Sequence, residues 1–176
     1  METPENFYLD VSGYKPKELD KIKEEIKRIE KDNPFYEMDF IYDGTPKPAP
    51  RPRVARWGGM YDPGAKDKKA IGNYVAGLMP KDWNPIEGEI QIYIKCYKPT
   101  ISAFNKTETY LAELGLLRPH KKPDVDNYAK TILDGLNGIV WEDDGQIVDM
   151  EIKKYYSQYP RIEVRLLFRE RKVSEK

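Results

Sequence analysis

Between residues 16 and 32 the chain reads PKELDKIKEEIKRIEKD, with Leu19, Ile22, Ile26 and Ile29 at three- and four-residue steps. Nearly every other position there is charged. That spacing predicts an amphipathic helix with a narrow apolar stripe, stopped at Pro34. Residues 1–34 therefore read as an appendage that leans on the domain or on a second chain. The next apolar stretch, FYEMDFIYDG over 35–44, predicts a strand ending in a turn. IEGEIQIYIKCYK, residues 86–98, sets Ile90, Ile92, Ile94 and Cys96 against polar or aromatic neighbours and is the clearest half-buried strand. Residues 147–156 and 161–168 alternate too, and predict two antiparallel strands closing across a turn near Pro160.

Helical spacing returns in three places. Residues 66–79 predict a helix with Ile71, Val75 and Leu78 inward, and residues 105–117 a short one capped by Asn105. Residues 126–137 predict a third, with Asp126 as N-cap and Ala129, Ile132, Leu133 and Leu136 on the buried face. Gly138 ends it. The segment PKPAPRPRVARWGGMYDPG is dense in proline and glycine, which predicts a loop with no regular element. Strands interleaved with helices and a terminal hairpin predict an α/β (α+β) domain over 35–176. Its mixed sheet would carry helices mainly on one face, beside the extra N-terminal helix.

Composition narrows the chemistry. A chain of 176 residues buries roughly 70% of its unfolded surface and needs no staple. Cys96 and His120 are the only residues of their types. A disulfide framework within the chain and a Cys/His zinc cage are excluded, and a catalytic triad could form only around His120. No run approaches the ~20 apolar residues of a membrane span. The start, METPENFYLD, lacks the basic-then-apolar order of a secretory signal, so a cytoplasmic protein is expected. Thirty acids balance thirty bases, which argues against a simple polycation. The signs segregate, however: acids crowd 18–43 and 142–151, bases 47–69 and 118–122.

The acids matter most in KPDVDNYAK, residues 122–130, and in the turn WEDDGQ. Asp124 and Asp126 precede the third helix, and Asp143 and Asp144 follow it. The helix is about 18 Å long. Residues 139–142 span about 13 Å if extended, enough to run back along it and join the two pairs. Converging aspartates need a cation, and oxygen ligands without imidazole or thiolate suit Mg²⁺ or Mn²⁺. A calcium loop fails, because Tyr128 and Ala129 stand where a ligand and a glycine belong. Carboxylate-bound Mg²⁺ welcomes phosphate oxygens, which points to phosphodiester or phosphoryl chemistry.

Lys130, one turn past Asp126, is placed to meet a scissile phosphate. The same spacing also fits an ordinary Asp–Lys helix pair worth a few tenths of a kcal/mol. Asp134 reads as a helix-face partner of Lys130, and Asp149 and Glu151 as a solvated strand edge. Arg51, Arg53 and Arg56, interleaved with Trp57 and Tyr61, then Lys66, Lys68 and Lys69, and later Lys121 and Lys122, suit a nucleic-acid backbone. A solvated loop with its aromatics folded inward is the plainer alternative. A binding module without catalysis would need no converging acids. A nucleotidyl or phosphoryl transferase would want a phosphate loop, and G-x-x-x-x-G-K-[ST] is absent.

The stretch KPDVDNYAKTILDGLNGIVWEDDGQIVDMEIKK closely resembles the signature of RusA-type Holliday junction resolvases, small bacterial and phage endonucleases. Its Asp-x-Asp-Asn, the lysine four after the second aspartate, the Asp-Gly-Leu helix end and the Asp-Asp-x-Gln turn are all present. KPAPRPRVARWGGMYDP is similar to the family's Pro-Arg-rich loop, so the likeness runs from about residue 38 to 168. It implies Mg²⁺ bound by Asp124, Asp126 and Asp144, with Mn²⁺ as substitute, and Lys130 as catalytic lysine. It also implies a homodimer with a mixed sheet that cuts four-way DNA junctions by paired nicks. Two copies of one site suit a nearly two-fold substrate. Spacing alone leaves open which of Asp143 and Asp144 points inward.

Overall fold

The computed structural model describes residues 13–51, 53–54 and 56–170. The chain divides into two compact units between Phe35 and Tyr36. The expected absence of a signal over the first ten residues lies outside the described residues. In the first unit helix α1 spans Pro16–Asp32, with proline in its first turn. The Lys15 N–H donates to Glu18 Oε2 at 2.7 Å. No residue of α1 is buried, and Ile22, Ile26 and Ile29 are exposed.

The second unit holds strands β1 (Tyr36–Asp43), β2 (Arg53–Val54) and β3 (Met60–Tyr61), helix α2 (Ala65–Ala76), β4 (Ile90–Pro99), helices α3 (Lys106–Glu113) and α4 (Val125–Leu136), β5 (Ile147–Ser157) and β6 (Arg161–Phe168). Its main sheet runs β1-β6-β4-β5, with β4 parallel to β5 and antiparallel to β6. The mixed sheet is as expected; the terminal hairpin is not. β4 lies between β5 and β6, so the chain after Ser157 crosses over it before pairing. The cause is legible in β4 itself. Ile90, Ile92, Ile94 and Cys96 are all buried, and so apolar a strand is best satisfied with a neighbour on each side.

The buried positions of β4, with Phe40, Ile162, Val164 and Leu166, face Ile71 and Val75 of α2 and Tyr128, Ile132 and Leu136 of α4. Alternate positions carry charge on the opposite face, where Arg161 pairs with Glu163 at 2.7 Å and Arg165 with Glu37 at 3.1 Å. Helices α2 and α4 touch backbone to backbone. A Cβ on Gly72 would sit 2.6 Å from the Gly135 carbonyl oxygen, and one on Gly135 would sit 2.9 Å from the Lys68 carbonyl oxygen. Neither position has room for a side chain.

Three local expectations change. Helix α2 stops at Ala76 with Gly77 as C-cap, which leaves Leu78 exposed instead of inward. Asn105 does cap α3, accepting from Glu108 N at 2.9 Å while Glu108 Oε2 accepts from Asn105 N, but the helix ends at Glu113. Within the supposedly irregular loop, Arg53 pairs with Tyr61 and Val54 with Met60. None of these four is a proline, and Gly58 at φ +86° supplies the left-handed residue of the turn.

Candidate active site

Pro123 and the extended residue after it set where α4 begins. Asp124, at φ −76° and ψ 156°, is the N-cap residue, two residues earlier than the expected Asp126. Its side chain makes no capping hydrogen bond, and Asp126 falls in the first helical turn. Burial of Tyr128, Ala129, Ile132 and Leu136 fixes the rotation of the helix, so Asp126, Lys130 and Asp134 share its exposed side. Asp126 and Lys130 do not form the ion pair that their spacing allows. Among the described residues, no hydrogen bond or ion pair engages the carboxylates of Asp124, Asp126 and Asp144 or the ammonium of Lys130.

Asp134 is not the partner of Lys130 either. It binds Lys68 Nζ at 2.6 Å, and the same ammonium binds Asp62 Oδ2 at 2.6 Å. Lys68 reaches inward from α2 because the glycine contact brings the two helices so close. The Lys68 ammonium and the Gly64 N–H hold the Asp62 carboxyl below its ordinary value, with the charges of Lys68 and Lys130 adding to the effect. Sequence reasoning missed this link. The Asp-Pro-Gly of residues 62–64 signals a turn, and Asp62 Oδ1 does accept from Gly64 N at 2.8 Å. A bond between two helices has no such local sign.

The other acids sit where α4 ends. Gly138, at φ +73°, donates its N–H to Trp141 O at 2.8 Å, and Ile139 and Val140 donate to Leu136 O. Ile86 N donates to Val140 O, and Glu142 N to Ile86 O. Residues 139–142 thus close a turn at the C-terminal end of the helix and do not run back along it, although their extended length would suffice. In the turn after them, Asp143 Oδ1 accepts from Gly145 N at 2.7 Å, and Gln146 Oε1 accepts from Asp143 N at 2.8 Å. Gln146 Nε2 donates to Ile86 O and Gly88 O. Asp143 is consumed by its own turn. The neighbouring carboxylate of Asp144 is left exposed.

The return is made by β5. Lys154 Nζ donates to Lys121 O at 3.0 Å and to Pro123 O at 2.8 Å, beside the start of α4. From Ile147 to Lys154 the strand climbs about 23 Å. Within one chain, Asp144 therefore lies just before β5, and the Asp124–Asp126 pair lies beside Lys154, three residues short of its far end. A single Mg²⁺, with bonds of about 2.1 Å, does not bridge that span. Among the described residues, no group of three His, Cys, Asp or Glu side chains is placed to hold a metal ion.

The basic residues are all exposed: Arg51, Arg53 and Arg56 on the β2–β3 arm, Lys66 and Lys69 on α2, Lys121 and Lys122 before α4. Of the expected basic set only Lys68 is turned to a structural bond. Cys96 is fully buried, and burial pushes its thiol up to about 12, which removes it from nucleophilic or ligand chemistry. His120 is exposed.

A family model for the endodeoxyribonuclease RusA matches residues 43–167. The chain belongs to the RusA endodeoxyribonuclease family. A curated relative, the uncharacterized protein YqaN of Bacillus subtilis strain 168, is 40% identical over 135 residues, covering 72% of this chain and 93% of that protein. The RusA match spans the β2–β3 arm, α4, the Asp143–Asp144 turn and most of β6, and leaves α1 outside. Membership makes the protein a DNA-cleaving nuclease of the Holliday junction resolvase class.

Proposed function

We propose that this RusA-family chain is a Mg²⁺-dependent endonuclease that resolves four-way DNA junctions by paired nicks, in recombination and repair, in the cytoplasm. No helix among the described residues is long and apolar enough to cross a membrane. The observation that carries the reading is the set of unbonded charges: Asp124, Asp126 and Lys130 toward one end of β5 and Asp144 at the other. Exposed aspartates left without partners in a folded protein are free to take one from outside. An all-oxygen donor set with no histidine or thiolate among its members fits Mg²⁺, or Mn²⁺ in its place.

The separation of those ends supports a two-copy site. β5 is an edge strand of the sheet. A two-fold axis beside its midpoint would exchange its ends, setting Asp144 of one copy against Asp124 and Asp126 of the other. The same edge carries exposed apolar side chains at both ends. Val148 and Met150 lie on its first half; Leu114 and Leu116 follow α3, which is tied by Glu113 to Ser157 Oγ at 3.0 Å. Such a face suits a homodimer better than water.

When bound, the cation supplies Lewis-acid stabilisation of the phosphate and a water activated near neutral pH. Asp124 and Asp126 of one copy and Asp144 of the other would hold it there. Lys130 donates to a phosphate oxygen and balances the charge that grows as the leaving oxygen departs. Lys66, Lys69, Lys121, Lys122 and the arginines of the arm hold flanking phosphates.

A complementation assay tests site and partner together. Asp126→Asn and Asp144→Asn are each expected to bind a synthetic junction without nicking it in Mg²⁺, and wild type to nick it but not a matched duplex. Mixed and re-assembled, the two dead variants form heterodimers with one intact site, so about a quarter of wild-type sites should return. No recovery, with wild type active, would reject the shared site. Wild type equally active with and without divalent cation would reject the metal.

A further inference from the structure

The β2–β3 arm is fastened at both roots beside the charged side of α4. On the incoming leg Ala49 N donates to Asn127 O at 2.7 Å, one residue past Asp126. On the outgoing leg Asp62 is held by Lys68, which also binds Asp134, and Asp62 feels the charge of Lys130. From Asp62 to the tip the arm reaches about 16 Å. At that tip Trp57 is 93% exposed, and the Val54, Met60 and Tyr61 side chains are exposed as well. The alternative of aromatics folded inward does not hold for this indole.

Charge selects its occupant. From Gly44 to Tyr61 there is no acidic residue, while Lys47, Arg51, Arg53 and Arg56 are basic. A large apolar ring on an arm that also carries Arg51, Arg53 and Arg56 suits a polyanion that also offers flat apolar faces, which describes a nucleic acid with an unstacked base. In continuous duplex the bases are stacked and paired, and only their edges show in the grooves. A ring projecting from a narrow arm meets a base face only where the helix is interrupted.

We propose that Trp57 is a stacking platform for a nucleobase exposed at the branch point of the DNA, with Arg53 and Arg56 holding the flanking phosphates. It is a specificity-determining residue: it makes the protein prefer branched DNA to duplex. The inference rests on the nuclease reading only for the identity of the substrate.

Full-length protein without divalent cation, so that DNA stays intact, is mixed with junctions carrying 2-aminopurine either at the branch or within an arm. Wild type should change the fluorescence of the branch probe and leave the arm probe alone. Trp57→Ala should lose that change and weaken junction binding about tenfold, with duplex binding reduced less than twofold; Trp57→Phe should keep most of both. A tip so exposed contributes little to folding, and an unchanged melting temperature checks this. An undiminished branch signal in Trp57→Ala, or equal losses for junction and duplex, overturns the proposal. So does a fall in oligomeric mass in Trp57→Ala, which would make the ring a contact between copies. Nicking in Mg²⁺ is scored separately. A wild-type protein that perturbs the branch yet never nicks sinks the nuclease reading and spares Trp57; one that nicks normally after Trp57→Ala does the reverse.

Discussion

Two aspartates in this molecule occupy equivalent places and do different work. Asp143 and Asp124 are both extended N-cap residues, each leading into a helical turn. Asp143 accepts from Gly145 N at 2.7 Å and completes a reciprocal box with Gln146. Asp124 makes no such bond. An N-cap carboxylate ordinarily serves the free N–H groups of its helix. One that does not is spare, and lies among other spare charges at the start of α4. The contrast separates a carboxylate spent on folding from one that is not, and it supports Asp144 over Asp143 as the proposed metal ligand.

That contrast breaks most severely at the unbonded acids. Asp124→Asn, Asp126→Asn and Asp144→Asn should each lower the nicking rate by at least about 1,000-fold, while unfolding free energies stay within about 0.5 kcal/mol of wild type. Rates from junction cleavage and stabilities from urea titration check both halves. Lys130→Met should cost about 100-fold or more in rate with junction affinity changed only a few-fold, separable by single-turnover kinetics. Asp143→Ala should show the opposite profile: a stability loss of about 1 kcal/mol and cleavage reduced no more than a few-fold.

Smaller effects come from the arm. Asp62 titrates below its ordinary carboxylate value because Lys68 and Gly64 N–H bind its ionised form. Its lowered folded pKa means the anchor is in place above the ordinary value of 3.8 and is lost as pH falls through the lower one. Lys68→Met should move the Asp62 titration upward, as followed by carboxyl NMR shifts, and leave α4 folded. Arg53→Ala should weaken binding modestly and reduce the slope of log affinity against log salt by about 0.9.

Local order was plain in the sequence. The bounds of α1 and β6 follow from apolar spacing and proline, and Asn105 and Gly138 mark helix ends by their own chemistry. Pairing was not. β5 and β6 alternate like a hairpin, yet β4 comes between them, since alternation says that a strand is half-buried and not which strand lies beside it. The same limit applies to the site. Residue types and spacing named the acids and the lysine, but the reach of residues 139–142 allowed a return that the Gly138–Trp141 turn does not make. Which carboxylates were spare depended on hydrogen bonds to Gly145 and Gln146, and the role of Lys68 on a contact between distant helices.

The glycine pair at positions 72 and 135 has a consequence for how this surface can evolve. With no side chain between them, the helix that carries Lys66 and Lys69 and the helix that carries Asp126 and Lys130 meet backbone to backbone. Even one methyl group would act as a shim, raising one charged helix against the other. Selection can retune almost any side chain on either rim, but the gauge between the rims admits no adjustment.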